Sequence, residues 1–184
     1  MCNRVVLDLD NVVFDFDGAF CKKFGWENRE LVCLEHRYPD RADEIELFVQ
    51  NPATYGKLDV LSLGTQIAKY CDENGMSTTF VSNRAMSAER ITGIELKKNK
   101  IPFFSYSVGR ESESPKLARI AEIAPLFVVD DMLRVAEGCA DISIPCFLVD
   151  QPWNFKENLH PLIYRITTFS EFLEKFDQLT RVFV

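Results

Sequence analysis

The residues of this sequence that could do chemistry sit at the ends of apolar runs. Asp8 and Asp10 close VVLDLD, Ser82, Asn83 and Arg84 close TTFVSNR, and Asp130 and Asp131 close LFVVDD. Asp8 and Asp10 have the period of an extended chain, so their side chains leave on one side, about 7 Å from each other. Carboxylates this close, with Asp130 beside them, repel and lose hydration unless a cation joins them. Hard oxygen ligands in this number suit Mg²⁺, which takes a few carboxylates and keeps waters and phosphate oxygens. A D-x-D pair taken alone is read more simply as a solvated strand end. Lys116, in SPKLARI, shifts that balance. It falls in the first turn of a helix, where the helix dipole disfavours a cation and an acid is the routine choice. A local rule broken in this way points to function, here an ammonium turned toward the acidic cluster and a bound phosphoryl group. The plain alternative is an exposed lysine.

These residues need a scaffold that gathers strand ends. β-rich runs at residues 4–9, 77–82, 101–108, 126–130 and 143–149 alternate with helical spacing, and most are apolar throughout, as strands covered on both faces are. One helix places Leu63, Ile67, Ala68 and Cys71 on one side and stops at Asn74-Gly75. A second starts near Ser87, buries Ala88, Ile91 and Ile94, and ends in Lys97 and Lys98. A third opens at Ser114-Pro115 with Leu117, Ile120 and Ala121 inward. The last carries a capping box from Thr168 to Glu171, followed by Phe172, Leu173, Phe176 and Leu179. This alternation predicts an α/β fold with a doubly wound parallel sheet and right-handed crossovers. Ligands in such sheets bind beyond the carboxyl ends of the strands, which brings the acidic pairs and the Ser82–Arg84 stretch to one edge, with Ser107 to Arg110 beside them.

The chain between the first and second strands is too long for one crossover helix. Phe16, Phe20 and Phe24 recur up to Gly25, Leu31 and Leu34 follow before Pro39, and Ile45, Phe48 and Val49 precede Asn51-Pro52. The pattern gives two or three short helices, read as a helical cap over residues 16–58 inserted into a core made of 1–15 and 59–184. Phe16, Phe20, Phe24, Trp26, Phe48 and Tyr55 form the core of that cap, with Phe16 and Phe48 the candidates to touch a substrate.

Composition sets the limits. The 184 residues are 47% hydrophobic, enough for one domain with a substantial core. A formal charge of −7 disfavours stable binding to nucleic acid or to an anionic membrane, and leaves a small anionic substrate bound by local cations. No stretch approaches the roughly 20 apolar residues of a membrane span. The N-terminus leads into a strand pattern instead of a signal sequence, so a soluble, cytoplasmic protein is expected. The six cysteines, Cys2, Cys21, Cys33, Cys71, Cys139 and Cys146, contain no C-x-x-C pair and are read as reduced, packed thiols. His36 and His160 are read as surface or packing residues, and Trp153 as packing against the sheet edge. The choice between monomer and homodimer is open.

Taken in order, VVLDLDNVV, TTFVSNR, Lys116 in SPKLARI and LFVVDDM resemble the four motifs of the haloacid dehalogenase-like (HAD) phosphohydrolases. The resemblance covers the chain outside the cap, whose position looks like the family's first cap class. DLDNVVFDF, with Asp15-Phe16, and LVDQPWN, residues 148–154, look like the 5'(3')-deoxyribonucleotidase branch. Asn11 departs from the pattern, which has glycine after the second aspartate. The resemblance implies that Asp8 attacks phosphorus and that Asp10 protonates the leaving alkoxide and later activates water. It implies Mg²⁺ on Asp8, the Asp10 carbonyl and Asp130, with Asp131 as ligand or support, Ser82 and nearby N–H groups on a phosphoryl oxygen, and Lys116 neutralising charge. Arg84 is left between substrate, cap carboxylates and a surface salt bridge. The implied activity is phosphomonoester hydrolysis, with a nucleoside monophosphate as substrate. The alternatives are a sugar phosphate, a polynucleotide 3'-phosphate end, a phosphoprotein, or a non-catalytic binding protein of the same fold.

Overall fold

Val5, Val6 and Leu7 have no exposed surface in β1 (Arg4–Leu7), and they alternate between two cores. Val5 and Leu7 join one hydrophobic cluster and Val6 another, as side chains of a strand covered on both faces must. The same split recurs at Phe80 and Val81 in β2 (Ser77–Ser82), at Val129 and Val128 in β4 (Val128–Asp130), and at Phe147 and Leu148 in β5 (Cys146–Val149). These details come from a computed structural model that describes residues 3–25, 39–109 and 113–182. Cys2, Trp26, Leu31, Cys33, Leu34, His36 and Arg110 lie outside the described residues.

With β3 (Ser105–Val108) and β6 (Ile163–Ile166), the strands form one six-stranded, wholly parallel sheet in the order β3-β2-β1-β4-β5-β6. Ile67, Ala68 and Cys71 of α4 (Ser62–Glu73), Leu96 of α5 (Glu89–Lys98) and Phe172 and Leu179 of α8 (Phe169–Val182) pack on one face. Ile120 of α6 (Glu113–Ile123) and Val135, Ala136, Cys139 and Ala140 of α7 (Leu133–Asp141) pack on the other. This is the α/β, doubly wound arrangement expected. The chain runs outward from β1 toward β3 and then returns to β4, so the order reverses between β1 and β4. A crevice opens at such a reversal, and it lies where Asp8 and Asp130 end their strands.

Four details depart from the pattern expected from the sequence. The strand expected at 101–108 begins at Ser105 and the one at 143–149 begins at Cys146. In both, the first residues instead close the preceding helix. Lys100 and Ser143 adopt left-handed φ of 52° and 61°, and Ile101 and Ile144 donate back to Leu96 and Cys139. Ile94 and Ala121 face solvent, because the inward arcs of their helices pass through Thr92, Glu95 and Leu96 and through Ile120 instead. β6 was not foreseen: it is a four-residue edge strand with Arg165 at its centre. At α8, the Thr168 hydroxyl accepts the Glu171 N–H at 3.2 Å, as a capping box requires, whereas the Glu171 carboxylate takes the N–H of Thr167.

Between β1 and α4 the described chain forms α1 (Phe16–Phe24), a tight turn at Pro39–Arg41, α2 (Ala42–Gln50) and α3 (Pro52–Tyr55). Asp15 caps α1 by accepting the Gly18 N–H at 2.9 Å. Phe20, Phe24, Ile45 and Val49 form a third cluster, with Phe16 and Phe48 packed against it. Cys71, Cys139 and Cys146 are buried and form no disulfide, and burial pushes the Cys71 and Cys139 thiols up to about 12, which suits inert packing. No described helix is long and apolar enough to cross a membrane.

Candidate active site

β1 delivers Asp8 to the sheet edge. Its N–H donates to the Val129 carbonyl at 2.9 Å, which locks it against β4, and Asp130 ends that neighbouring strand. Asp130 is held in turn by the Met132 N–H at 2.9 Å. Lys116 reaches in from α6 to lie 3.1 Å from Asp8 Oδ2 and 2.7 Å from Asp130 Oδ2. Only 2% of Lys116 is exposed, so the plain reading of a solvated lysine is overturned. The ammonium explains the broken helix rule: two buried carboxylates outweigh the dipole of one helix end.

Carboxylate oxygens of Asp8, Asp130 and Asp131 lie within 4.8 Å of one another, and all three residues are buried. Three carboxylates against one ammonium leave an excess of negative charge in a low-dielectric site. Burial, with help from Asp130 and Asp10 and against Lys116, pushes the Asp8 carboxyl up to about 7. Burial, then Asp130 and Asp8, hold Asp131 well above the usual carboxylate range. Burial disfavours the charge on Lys116, but Asp130 and Asp8 outweigh it and raise the lysine above its ordinary value. Asp8 Oδ1 is buried and accepts no hydrogen bond among the described residues. An orphaned carboxylate oxygen on one member of a cluster of three buried acids is a donor set suited to Mg²⁺. The Asp10 side chain stands outside this cluster of three.

Asp10 is instead gripped by Arg84. Arg84 Nε donates to both Asp10 oxygens at 3.1 Å and Nη2 to Oδ1 at 2.7 Å, while Nη1 donates to Thr92 Oγ1 at 3.0 Å. The guanidinium carbon lies 5.0 Å from the Phe14 ring centre and 4.7 Å from that of Tyr55. With 2% exposure, Arg84 is not part of a surface salt bridge. Ser82 is buried beside it and its hydroxyl accepts the Arg84 N–H at 3.3 Å. Asn83 is half-buried, and its Oδ1 has no partner among the described residues. Phe16 and Phe48 are half-buried, 5.7 Å apart, and Phe16 also stacks on Tyr55 at 5.8 Å.

Asn11, the departure from pattern, is built into the site. Its φ of 59° is the left-handed conformation that glycine adopts freely and asparagine tolerates. Its Oδ1 accepts the Asp17 N–H at 2.8 Å, and its Nδ2 donates to Asp131 Oδ2 at 3.2 Å. Gln151 Nε2 donates to the Asn11 carbonyl at 3.3 Å. Asn154 is fully buried and bonds the Asp131 and Val149 carbonyls at 2.8 and 2.7 Å, joining the ends of β4 and β5. Arg165 holds Asn154 from the edge strand, at 2.6 Å to Oδ1. The DQPWN segment is visible in the sequence, but these bonds are not, since asparagine is ordinarily an exposed residue.

No protein-family model and no curated protein matches the chain. Its fold does match solved structures. A HAD-superfamily hydrolase from Ehrlichia chaffeensis is 15% identical with a TM-score of 0.57, covering 97% of each chain. A haloacid dehalogenase-like family hydrolase from Xanthomonas campestris is 10% identical with a TM-score of 0.64, covering 96% of this chain and 95% of the other. D,D-heptose 1,7-bisphosphate phosphatase from B. bronchiseptica, complexed with magnesium and phosphate, is 12% identical with a TM-score of 0.59, covering 96% and 98%. The chain therefore has the fold of HAD-superfamily hydrolases.

Proposed function

We propose that the chain is a Mg²⁺-dependent phosphomonoesterase of the HAD type, acting on nucleoside monophosphates in the manner of a 5'(3')-deoxyribonucleotidase. The observation that carries this reading is the buried Asp8–Lys116–Asp130 cluster with the Asp8 Oδ1 atom left unpartnered. Asp8 attacks phosphorus, the bond from phosphorus to the substrate alcohol breaks, and Asp10 gives a proton to the departing alkoxide. Asp10 then takes a proton from the water that attacks the aspartyl-phosphate, and inorganic phosphate leaves with Asp8 restored. Ser82, Asn83 and neighbouring N–H groups hold phosphoryl oxygens, and Lys116 offsets charge on Asp8 and on the transferring group. Asp8, Asp130, the Asp10 carbonyl and Asp131 would hold Mg²⁺, which supplies further neutralisation of the phosphoryl oxygens when bound.

Residues 16–58 act as the cap. Its entry and exit lie side by side, with the Asp15 N–H on the Asp59 carbonyl at 2.9 Å and the Leu61 N–H on the Val13 carbonyl at 2.8 Å. Phe16 and Phe48 are its candidates to meet a nucleobase. A second reading, a sugar phosphate, is favoured by one observation: Phe16 already stacks on Tyr55, which leaves less aromatic face for a base. The buried free thiols suit a reducing cytoplasm.

Phosphate release from a panel of nucleoside monophosphates, sugar phosphates and phosphopeptides, with and without Mg²⁺, tests this. The expected result is Mg²⁺-dependent release that is greatest for a nucleotide and falls by about 10³-fold or more in Asp8→Asn. Release from sugar phosphates alone would keep the chemistry and replace the substrate.

A further inference from the structure

We infer that Arg84 is a positioning residue that aims the Asp10 carboxylate at the reacting oxygen and ties that aim to the inserted segment, and that it does not bind substrate. The inference rests on the reading of Asp10 as the proton carrier. Each of the three guanidinium nitrogens already has a described partner: Nε and Nη2 on Asp10, and Nη1 on Thr92. The side chain has no exposed surface and lies between two aromatic rings, so a phosphate has no open path to it. The Asp10 side chain is 20% exposed while the Arg84 side chain is wholly buried. The carboxylate is therefore held from behind and presented outward. A planar fork fixes both carboxylate oxygens at once, which a point-charge ammonium cannot do.

The four groups that hold Arg84 come from three parts of the chain. Asp10 and Phe14 belong to the loop after β1, Thr92 to α5, and Tyr55 to α3 in the inserted segment. Tyr55 is itself pinned, its hydroxyl donating to the Val49 carbonyl of α2 at 2.8 Å. A shift of α2 and α3 would move the ring that flanks the guanidinium. Arg84 is the point at which the inserted segment can alter the direction of Asp10 without touching it.

The test exploits leaving groups. An aryl phosphate such as p-nitrophenyl phosphate releases an anion that needs no proton, whereas an alkyl phosphate releases an alkoxide that does. Arg84→Lys keeps the charge and loses the fork. It is expected to lower kcat/KM, which reports the step in which the leaving group departs, by on the order of 10²-fold on the preferred alkyl phosphate and by less than about threefold on p-nitrophenyl phosphate. Asp10→Asn should show the same pattern, and the double variant should be no worse than Asp10→Asn alone. Thr92→Val, a milder change that frees one guanidinium nitrogen, should show the pattern in weaker form and serves if Arg84→Lys does not fold. Equal losses of kcat/KM on both substrates would overturn the inference. If Asp10→Asn shows the leaving-group pattern and the Arg84 and Thr92 variants do not, the inference fails while the function stands. If Asp10→Asn itself lacks the pattern, the assignment of Asp10 falls and the inference with it.

Discussion

Asn11 stands where the resembled family has glycine, and its geometry shows what the exchange brings. The backbone keeps the left-handed φ of 59°, and the side chain adds one bond to Asp131 and one to the first turn of α1. Asn11→Gly should therefore fold normally and lose Mg²⁺ affinity by about tenfold, as removal of groups that orient metal ligands does. Isothermal titration with Mg²⁺ beside a thermal melt separates the two effects. An unchanged Mg²⁺ affinity would mean that the Asp131 bond has no bearing on the metal. Asp8, Asp10 and Asp130 were legible in the sequence because they end apolar strand runs, and Lys116 because it puts a cation in the first turn of a helix. Asn11, Gln151 and Asn154 were not, because they act by side-chain bonds to residues up to 140 positions away, which no local pattern encodes. Asp15, read beside Phe16 as a pointer to nucleotides, has a sufficient structural reason in its capping of α1.

Elements position the site through one close approach. Gly64 of α4 lies against the loop that follows β1, and a Cβ there would sit 2.2 Å from the Val12 carbonyl oxygen. That contact is with backbone, which cannot swing aside, so either the helix or the Asp8–Asp15 loop must move. Gly64→Ala is expected to destabilise by about 1–3 kcal/mol in urea unfolding and to lower activity, because the displaced loop carries Asp10. Full activity with unchanged stability would show that the loop gives way freely. The alternation of strands and helices was readable from apolar runs and caps. Strand starts were not, because Ile101 and Ile144 continue an apolar run in sequence while their N–H groups close the helix before. β6 escaped notice because Arg165, which reaches across to Asn154, interrupts the apolar pattern of a short edge strand.

At the scale of the whole molecule, the acidic cluster is expected to couple stability to pH and, under the proposed function, to Mg²⁺. Folding raises the Asp8 carboxyl from 3.8 to about 7, so the folded, metal-free chain binds that proton more tightly than the unfolded chain. The contribution of Asp8 is then most favourable below about 4 and is lost as pH rises through about 7. Asp131 is raised in the same direction and adds to the loss. Mg²⁺ competes with these protons, so the rise in Tm on adding it should be small at pH 5 and larger at about pH 8. Differential scanning fluorimetry across this range, with Ca²⁺ and chelator as controls, reads it directly. A Mg²⁺ effect that is independent of pH would place the metal elsewhere.

The proposed function turns on a covalent bond from Asp8 to phosphorus. Acid quench during turnover of the preferred phosphomonoester, followed by peptide mapping by mass spectrometry, reads that bond. One added phosphoryl group is expected on the peptide that contains Asp8, absent from Asp8→Asn. Steady turnover with no phosphoryl group on that peptide, or with activity retained by Asp8→Asn, would contradict it.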